Sequence, residues 1–348
     1  MENIFFVNLL STLISLALGY PAMRLAFRSK LIDVPGSAPH KQHIHPTPLA
    51  GGLLILMTLV ISSLVLNQWL TREILIILCG SFIILFFGIW DDARGLSAYS
   101  KLIGQFIAAC VLIIGGIKVN FFEGLELLRN LPQTVIILLN LGITFLWLIG
   151  ITNAMNMVDS MDGLVAGLCI VTSAFFLGAT SLSNQPDLMI WSAVFLGLGI
   201  GLYFWNASPA YFFLGDSGAQ TLGFLLAALG ILYTPVGLKQ ETSWFVPVML
   251  LGVPIFDTTL VAFSRMRRKQ SLGDGRRDHT YHRMIALGLA PSRAVMVLQM
   301  TALIVNCVAF IALSLSPLWA NVIFLLTILL GLIALLWLER KPTLDKDC

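Results

Sequence analysis

Carboxylates and amides recur in this chain at spacings that suit phosphate and divalent-metal chemistry. Asp91-Asp92 follows the apolar run that ends at Trp90. Two adjacent carboxylates at a membrane edge repel, so one holds a proton or recruits a cation, which suits a general base or a metal site. An ordinary solvated loop after a helix is the plainer alternative. Asn153, Asn156, Asp159 and Asp162 recur every third residue. On a helix that spacing makes a slowly rotating stripe whose neighbours converge on one ligand. Their oxygens are hard donors, which fits Mg²⁺ shared with substrate phosphates; a helix cap explains one such residue, not four. Phe213-Leu-Gly-Asp216-Ser-Gly218 places an aspartate just before an apolar run, where free backbone N–H groups favour anions and their metals. A simple N-cap is the commoner role for a lone Asp216. Lys101 follows the acidic pair and could meet a phosphate or snorkel to the membrane surface. His279, His282 and Arg283 close a basic loop and could bond a diphosphate, although a basic loop can also serve topology alone.

The elements that carry these residues are membrane spans. The chain has 348 residues, 57% hydrophobic and only 11% charged, well under half the charged fraction of soluble domains. A span takes about 20 apolar residues. Eleven such runs are read, at about 4–27, 49–66, 73–90, 102–118, 133–152, 163–182, 188–206, 217–234, 244–264, 293–315 and 318–338. The fold expected is therefore all-α and polytopic, one catalytic membrane domain over 1–348, with a basic loop at 265–292. The first run lacks a basic leader segment and reads as a retained span rather than a cleaved signal. The five cysteines form no ligand-spaced pair and read as buried apolar thiols. Nothing in the charge pattern suits nucleic acid, and any apolar face is compatible with a homodimer.

Alternate loops of eleven spans face opposite sides. Seventeen of the 21 Lys and Arg fall on one side and four on the other. Positive-inside bias then places the N-terminus outside and the C-terminus in the cytoplasm. The same parity puts all four polar clusters on the cytoplasmic face, including two loops that carry no Lys or Arg. Three histidines, His40, His43 and His45, precede the second run without an acidic or cysteine partner, which favours phosphate or solvent over metal. Asp257 lies inside the ninth run. An intramembrane carboxylate is a functional hypothesis by default, and the adjacent arginines are its expected partners.

In this order, these motifs resemble the polyprenyl-phosphate N-acetylhexosamine-1-phosphate transferases over roughly residues 20–290. That family carries an acidic pair after its third span, an Asn-x-x-Asn-x-x-Asp-x-x-Asp-Gly stripe, a Gly-Asp-Ser/Thr-Gly turn and a histidine-containing basic loop. The resemblance implies a bacterial inner-membrane enzyme that transfers sugar 1-phosphate from a UDP-N-acetylhexosamine to undecaprenyl phosphate, releases UMP and uses Mg²⁺, with Mn²⁺ as a substitute. Asp33-x-Pro35, Lys41-x-His43, Pro46-Thr-Pro48-x-x-Gly51-Gly52 and Pro254-Ile-Phe-Asp257-Thr resemble the branch that starts O-antigen, common-antigen or teichoic-acid-type glycans from UDP-GlcNAc or related donors. The branch that uses UDP-MurNAc-pentapeptide is the alternative. By the same resemblance, Asp216 and Asn156 are metal ligands, and Asp91 or Asp92 deprotonates or positions the lipid phosphate. Asp159 and Lys101 surround the diphosphate. Asp162 and Phe213 hold the uracil, and His279, His282 and Arg283 clamp the diphosphate. One departure stands out: the usual His-x-His-His-Arg reads His279-Thr-Tyr281-His282-Arg283, and Tyr281 is not cationic at neutral pH. Direct attack and a covalent intermediate both remain open.

Two rivals come from other classes. A secondary transporter would place its carboxylates near the bilayer midplane, often in repeated halves, whereas these lie at one edge without a repeat. A CDP-alcohol phosphotransferase shares Asp159-x-x-Asp162-Gly163, but here the chain continues Leu-Val-Ala166-Gly167 and turns apolar.

Overall fold

The computed structural model describes residues 3–35, 45–66, 71–124, 128, 130–235, 243–270 and 278–343. His40, Lys41, His43, Arg276 and Arg277 lie outside them. The helices are α1 (Ile4–Arg28), α2 (Gly51–Val65), α3 (Arg72–Arg94), α4 (Ala98–Ile114), α5 (Gln133–Val158), α6 (Leu164–Leu182), α7 (Pro186–Asn206), α8 (Gly215–Leu232), α9 (Val246–Leu250), α10 (Gly252–Arg267), α11 (Thr280–Ala286), α12 (Pro291–Ala312) and α13 (Pro317–Glu339). Among the described residues, eight of these are long and apolar enough to cross a membrane, and α2 and α4 are shorter apolar helices. The all-α, multi-pass character expected from composition therefore holds.

The ninth predicted run is not one helix. It breaks at Leu251 into α9 and α10. Pro254 has no N–H to give the carbonyl four residues back, that of Leu250. The hydroxyl of Thr172 on α6 takes that carbonyl instead, at 3.0 Å, so the break is satisfied inside the bundle.

Burial and hydropathy run opposite ways across the bundle. The most apolar window, in α13, has a mean hydropathy of 2.6 and is only 17% buried. The window in α8 has the lowest hydropathy among the eight, 1.2, yet is 83% buried. Lipid is as apolar as leucine, so the outermost helix is the greasiest. The helix enclosed on all sides instead needs small residues for close approach. Thus α8, rich in Gly, Ala, Ser and Thr, packs among α2, α3 and α5 at the centre. The interface of α1 with α7 follows the same rule. Ser11 and Ser15 donate to the carbonyls of Val194 and Leu198, at 2.9 and 3.3 Å. Of the cysteines expected to be buried, Cys169 is, whereas Cys79 and Cys307 are exposed on apolar helices.

A short antiparallel pair, β1 (Ile32–Asp33) and β2 (Thr47–Pro48), leads into α2. Its continuation grips the segment before α8: the Phe213 N–H donates to Pro48 O at 3.0 Å, and Ala50 and Gly51 N–H donate back to Phe213 O at 3.2 and 3.3 Å. The start of the central helix is thereby fixed to the starts and ends of its neighbours.

Candidate active site

The acidic pair belongs to the last turn of α3, which runs four residues past the predicted end of its apolar segment and makes both carboxylates helical. Successive residues on a helix point about 100° apart, so the two side chains take different work. Asp92 faces the start of α8. Its Oδ1 accepts from the Asp216 N–H at 2.8 Å and its Oδ2 from the Ser217 N–H at 3.2 Å. Both oxygens thus cap orphan donors of another helix. The approach needs glycine twice. Gly215 has φ +67°, and a Cβ there would stand 2.7 Å from Asp92 Oδ2. A Cβ on Gly88, one turn before Asp92, would overlap Ser217 Cα.

Asp91 turns the other way and is buried. Its Oδ1 accepts from the Leu96 N–H at 2.5 Å, and its Oδ2 pairs with Lys101 Nζ. Lys101, on the first turn of α4, also lies 3.4 Å from Asp216 Oδ2. The Asp91 and Asp216 carboxylates approach each other, and the Asn156 side chain bonds to Asp216. Helices α3, α4, α5 and α8 therefore each deliver a side chain to one point.

The stripe divides in two. Asn153 and Asn156 lie on α5, but Asp159 is its C-cap and Asp162 sits in the turn before α6. Asp159 still joins the cluster: its burial, then the charges of Asp216, Asp162 and Asp92, push its carboxyl well above the usual carboxylate range. Asn153, by contrast, is engaged below the site. It exchanges side-chain bonds with Gln105 at 2.7 and 3.1 Å, and Gln105 donates to Gln220 at 2.9 Å. Two buried amides and a half-buried one satisfying one another in an apolar bundle are structural glue, so Asn153 is engaged away from the metal position. Sequence reading missed Gln105 and Gln220 as its partners. It also missed Asn206, whose Oδ1 takes the Gly163 N–H at 3.1 Å and whose amide donates to Phe212 O at 3.2 Å. Gln299 of α12 completes the turn by donating to Gly163 O at 3.0 Å. Those isolated polar residues in apolar runs were the available signal.

The resulting cluster holds five carboxylates, Asp91, Asp92, Asp159, Asp162 and Asp216, around one lysine side chain that is 24% exposed. Among the described residues no three His, Cys, Asp or Glu side chains form a ready-made metal cage. Mg²⁺ does not need one, since it keeps several waters and takes one or two carboxylates plus substrate phosphates. Asp216 with Asn156 is such a donor set, and the charge of the surrounding carboxylates favours a cation there.

The basic loop behaves differently. Arg265 forks onto Asp278, at 3.0 and 2.9 Å. Burial opposes the ionised form of Asp278, but the bond and charge of Arg265 outweigh it and hold its carboxyl below the usual range. Arg267 bonds Glu339 at 2.9 Å. Arg283 corrects the sequence expectation most plainly. It is 0% exposed, with Nε on Asp278 O at 3.0 Å, Nη1 on Leu338 O at 2.8 Å and Nη2 on Ser264 Oγ at 2.8 Å. Its guanidinium caps the C-terminus of α13 and has no face left for a diphosphate. Asp257 was expected to pair with an arginine. It instead meets His279 Nδ1 at 2.8 Å and the Thr280 N–H at 2.7 Å. Tyr281 is buried, stacks 6.2 Å from the His279 ring, and brings its hydroxyl 2.7 Å from His282 Nε2. It orders both histidines rather than replacing one. Helix α11 packs on α12, which reaches the acidic side through Gln299 and Gly163.

A model of glycosyl transferase family 4 matches residues 74–234. A protein of Bacillus subtilis (strain 168) named as a probable undecaprenyl-phosphate N-acetylglucosaminyl 1-phosphate transferase is 31% identical over 335 residues, covering 95% of this chain and 90% of that one. A decaprenyl-phosphate N-acetylglucosaminephosphotransferase of Mycobacterium tuberculosis (strain ATCC 25618 / H37Rv) is 28% identical over 330 residues, 86% and 80% of the two chains. A phospho-N-acetylmuramoyl-pentapeptide-transferase of Latilactobacillus sakei is 34% identical over 200 residues, 53% of this chain and 61% of that one. With its acidic cluster lying wholly inside the matched segment and a relative aligned nearly end to end, the chain belongs to glycosyl transferase family 4.

Proposed function

We propose that this protein transfers N-acetylglucosamine 1-phosphate from UDP-GlcNAc to undecaprenyl phosphate and releases UMP, the step that begins a lipid-linked cell-envelope glycan. The observation that carries this reading is the convergence of Asp91, Lys101, Asn156 and Asp216 from four helices. The near full-length relative named for an N-acetylglucosaminyl 1-phosphate transfer favours this donor over a MurNAc-pentapeptide, since relatives named for that donor match 53% to 68% of the chain. The eleven-span topology, with a cytoplasmic site and C-terminus, is supported by the Lys and Arg asymmetry.

In this mechanism a lipid phosphate oxygen attacks the β-phosphorus. The new P–O bond forms as the bond from that phosphorus to the bridging oxygen breaks, and UMP leaves with the electron pair. Such transfers depend on positioning and electrostatics more than on covalent chemistry. Lys101 supplies a cation where the anions meet, and Asp91 holds and orients it beside Asp216. Asp92 is the positioning residue that fixes the backbone of Asp216. Asp159, with its raised carboxyl, borders the diphosphate and presents the least charge when protonated. Asp162 and Phe213 form the uracil end, and His279 and His282 meet the diphosphate from the loop. Asp216 and Asn156 would hold Mg²⁺, which supplies neutralisation of charge on the diphosphate oxygens. UMP release from UDP-GlcNAc, with and without undecaprenyl phosphate and Mg²⁺, tests the reading. No release with this or any other UDP-N-acetylhexosamine would sink it.

A further inference from the structure

Asp257 is 1% exposed inside an apolar helix, a setting where a carboxylate is costly and persists only with partners and a purpose. It has two partners, one for each oxygen. Oδ1 takes the Thr280 N–H, and Oδ2 takes His279 Nδ1. A helix cap would explain the first bond alone. It does not explain the second, nor the Tyr281 ring stacked on the same imidazole at 16° between planes. The arginines beside this pair are otherwise engaged, Arg265 by Asp278 and Arg283 by main-chain carbonyls, so Asp257 is not a counter-ion for the basic loop.

A carboxylate only accepts, so the ring nitrogen facing Asp257 carries a proton. That leaves Nε2, on the opposite edge of the ring, as the atom for another partner. We infer that Asp257 is a positioning residue for the transfer reaction. By holding the Nδ1 proton and the ring plane of His279, it aims Nε2 at an anionic diphosphate oxygen of the nucleotide sugar, to which Nε2 donates when the ring is doubly protonated. This role rests on the transferase reading above, while the pairing itself does not.

Asp257→Asn is the discriminating change, because an amide has one oxygen for two donors. Either Thr280 N–H or His279 Nδ1–H must lose its acceptor. The chain has five histidines, so two-bond ¹H–¹⁵N spectra of ¹⁵N-histidine protein in nanodiscs, assigned with His279→Gln, report which ring nitrogen is protonated. The expected result is a protonated Nδ1 in the wild type, altered in Asp257→Asn. UMP release should then show kcat/KM for UDP-GlcNAc down about 10- to 100-fold, the range for losing a group that orients a functional histidine. The double variant Asp257→Asn/His279→Gln should be no worse than His279→Gln alone, because residues acting as one unit are not additive. Unchanged nitrogen shifts in both Asp257→Asn and Asp257→Leu, which leaves neither donor an acceptor, overturn the pairing. Changed shifts with wild-type kcat/KM, or fully additive losses, overturn the positioning role. If Asp257→Asn does not fold, the wild-type spectrum still decides, and an Nδ1 without a proton overturns the inference. A wild type that releases no UMP removes the transferase reading and this role with it, but leaves the spectroscopic test of the pair intact.

Discussion

Two polar clusters lie at the helix ends of this protein, and they are built on opposite terms. Around Asp216, five carboxylates crowd one lysine, and Asp159 is driven toward its neutral form by burial and by its neighbours. Around Arg283, charges alternate and are paired: Arg265 with Asp278, Arg267 with Glu339, Asp257 with His279. Like charges held together cost folding free energy, and a fold keeps them only where a ligand or cation will relieve them. Alternating charges with saturated bonds hold helices in place. The family match spans the first cluster and stops before the second, where the arginines serve the architecture and only the histidines are left for substrate.

The difference makes opposite predictions for activity and stability. The largest effect on activity should follow Asp216→Asn. It removes the carboxylate that meets Lys101, Asp91 and Asn156, so turnover should drop about 10³-fold, comparable with losing a central electrostatic group. Thermal unfolding in detergent without divalent metal should change by only a few degrees, since loss of the Lys101 and Asn156 contacts is offset by relief of the crowding among the neighbouring carboxylates. A clear fall in stability would place Asp216 with the architectural cluster. Arg283→Met is the counterpart. Removing one side of a buried, bonded charge group costs about 3–5 kcal/mol, seen as a large drop in unfolding temperature. The folded fraction should retain its KM for UDP-GlcNAc, and a selective rise in KM would restore Arg283 to the substrate site.

How much of this was legible beforehand depends on distance along the chain. The convergence of the three acidic motifs was legible in hydropathy, because a helix that ends at a membrane edge delivers its end residues to that edge; the expected joining of the basic loop to them was not found, since its arginines bond within their own cluster. The inward place of α8 could be read from its small residues. What a given polar side chain bonds could not. Asp92 captures N–H groups 124 and 125 residues away, and Arg283 captures carbonyls of α13, 55 residues away. Neither contact leaves a local pattern, so both residues looked like substrate ligands. The break at Leu251 had a local signal in Pro254 that the reading of 244–264 as one run passed over, and no local signal for Thr172, the hydroxyl that repairs it.

Asp92→Asn sharpens the boundary between the clusters, since it sits in the acidic cluster but does architectural work. An asparagine offers one oxygen to the two N–H groups of Asp216 and Ser217. Activity should fall about 10- to 100-fold, as for other supports of a ligating group. Mg²⁺ titration should show a weaker apparent affinity. A loss as complete as that of Asp216→Asn, with the Mg²⁺ response unaltered, would return Asp92 to direct chemistry.

Acidity separates the clusters by sign. The Asp159 carboxyl is raised in the folded state above the ordinary value of 3.8. The associated stability is fully present below that value and is lost as pH rises through the folded pKa. Asp278 is lowered, so its contribution is present above 3.8 and is lost as pH falls through its folded pKa. Unfolding temperature in EDTA should therefore rise on mild acidification from neutrality and fall again below about pH 4. Asp159→Asn should flatten the first limb and Asp278→Asn the second. If Asp278→Asn flattened the neutral limb, the assignment of sign to region would be wrong.

The smallest effect tests which part of the second cluster serves substrate. Tyr281 is the residue at which this loop departs from the family's histidine pattern, and its hydroxyl reaches His282 Nε2 at 2.7 Å while its ring backs His279. Tyr281→Phe keeps the ring and deletes one hydrogen bond, worth about 1 kcal/mol. That corresponds to about a fivefold rise in KM for UDP-GlcNAc if His282 contacts the diphosphate, with kcat preserved because the acidic cluster is untouched. Tyr281→His, which reinstates the family residue, should keep KM near the wild-type value, since an imidazole can also bond His282. A Tyr281→Phe variant with unaltered KM but a lower unfolding temperature would mean that His282, like Arg283, belongs to the architecture, and the substrate-facing part of the loop would then shrink to His279 alone.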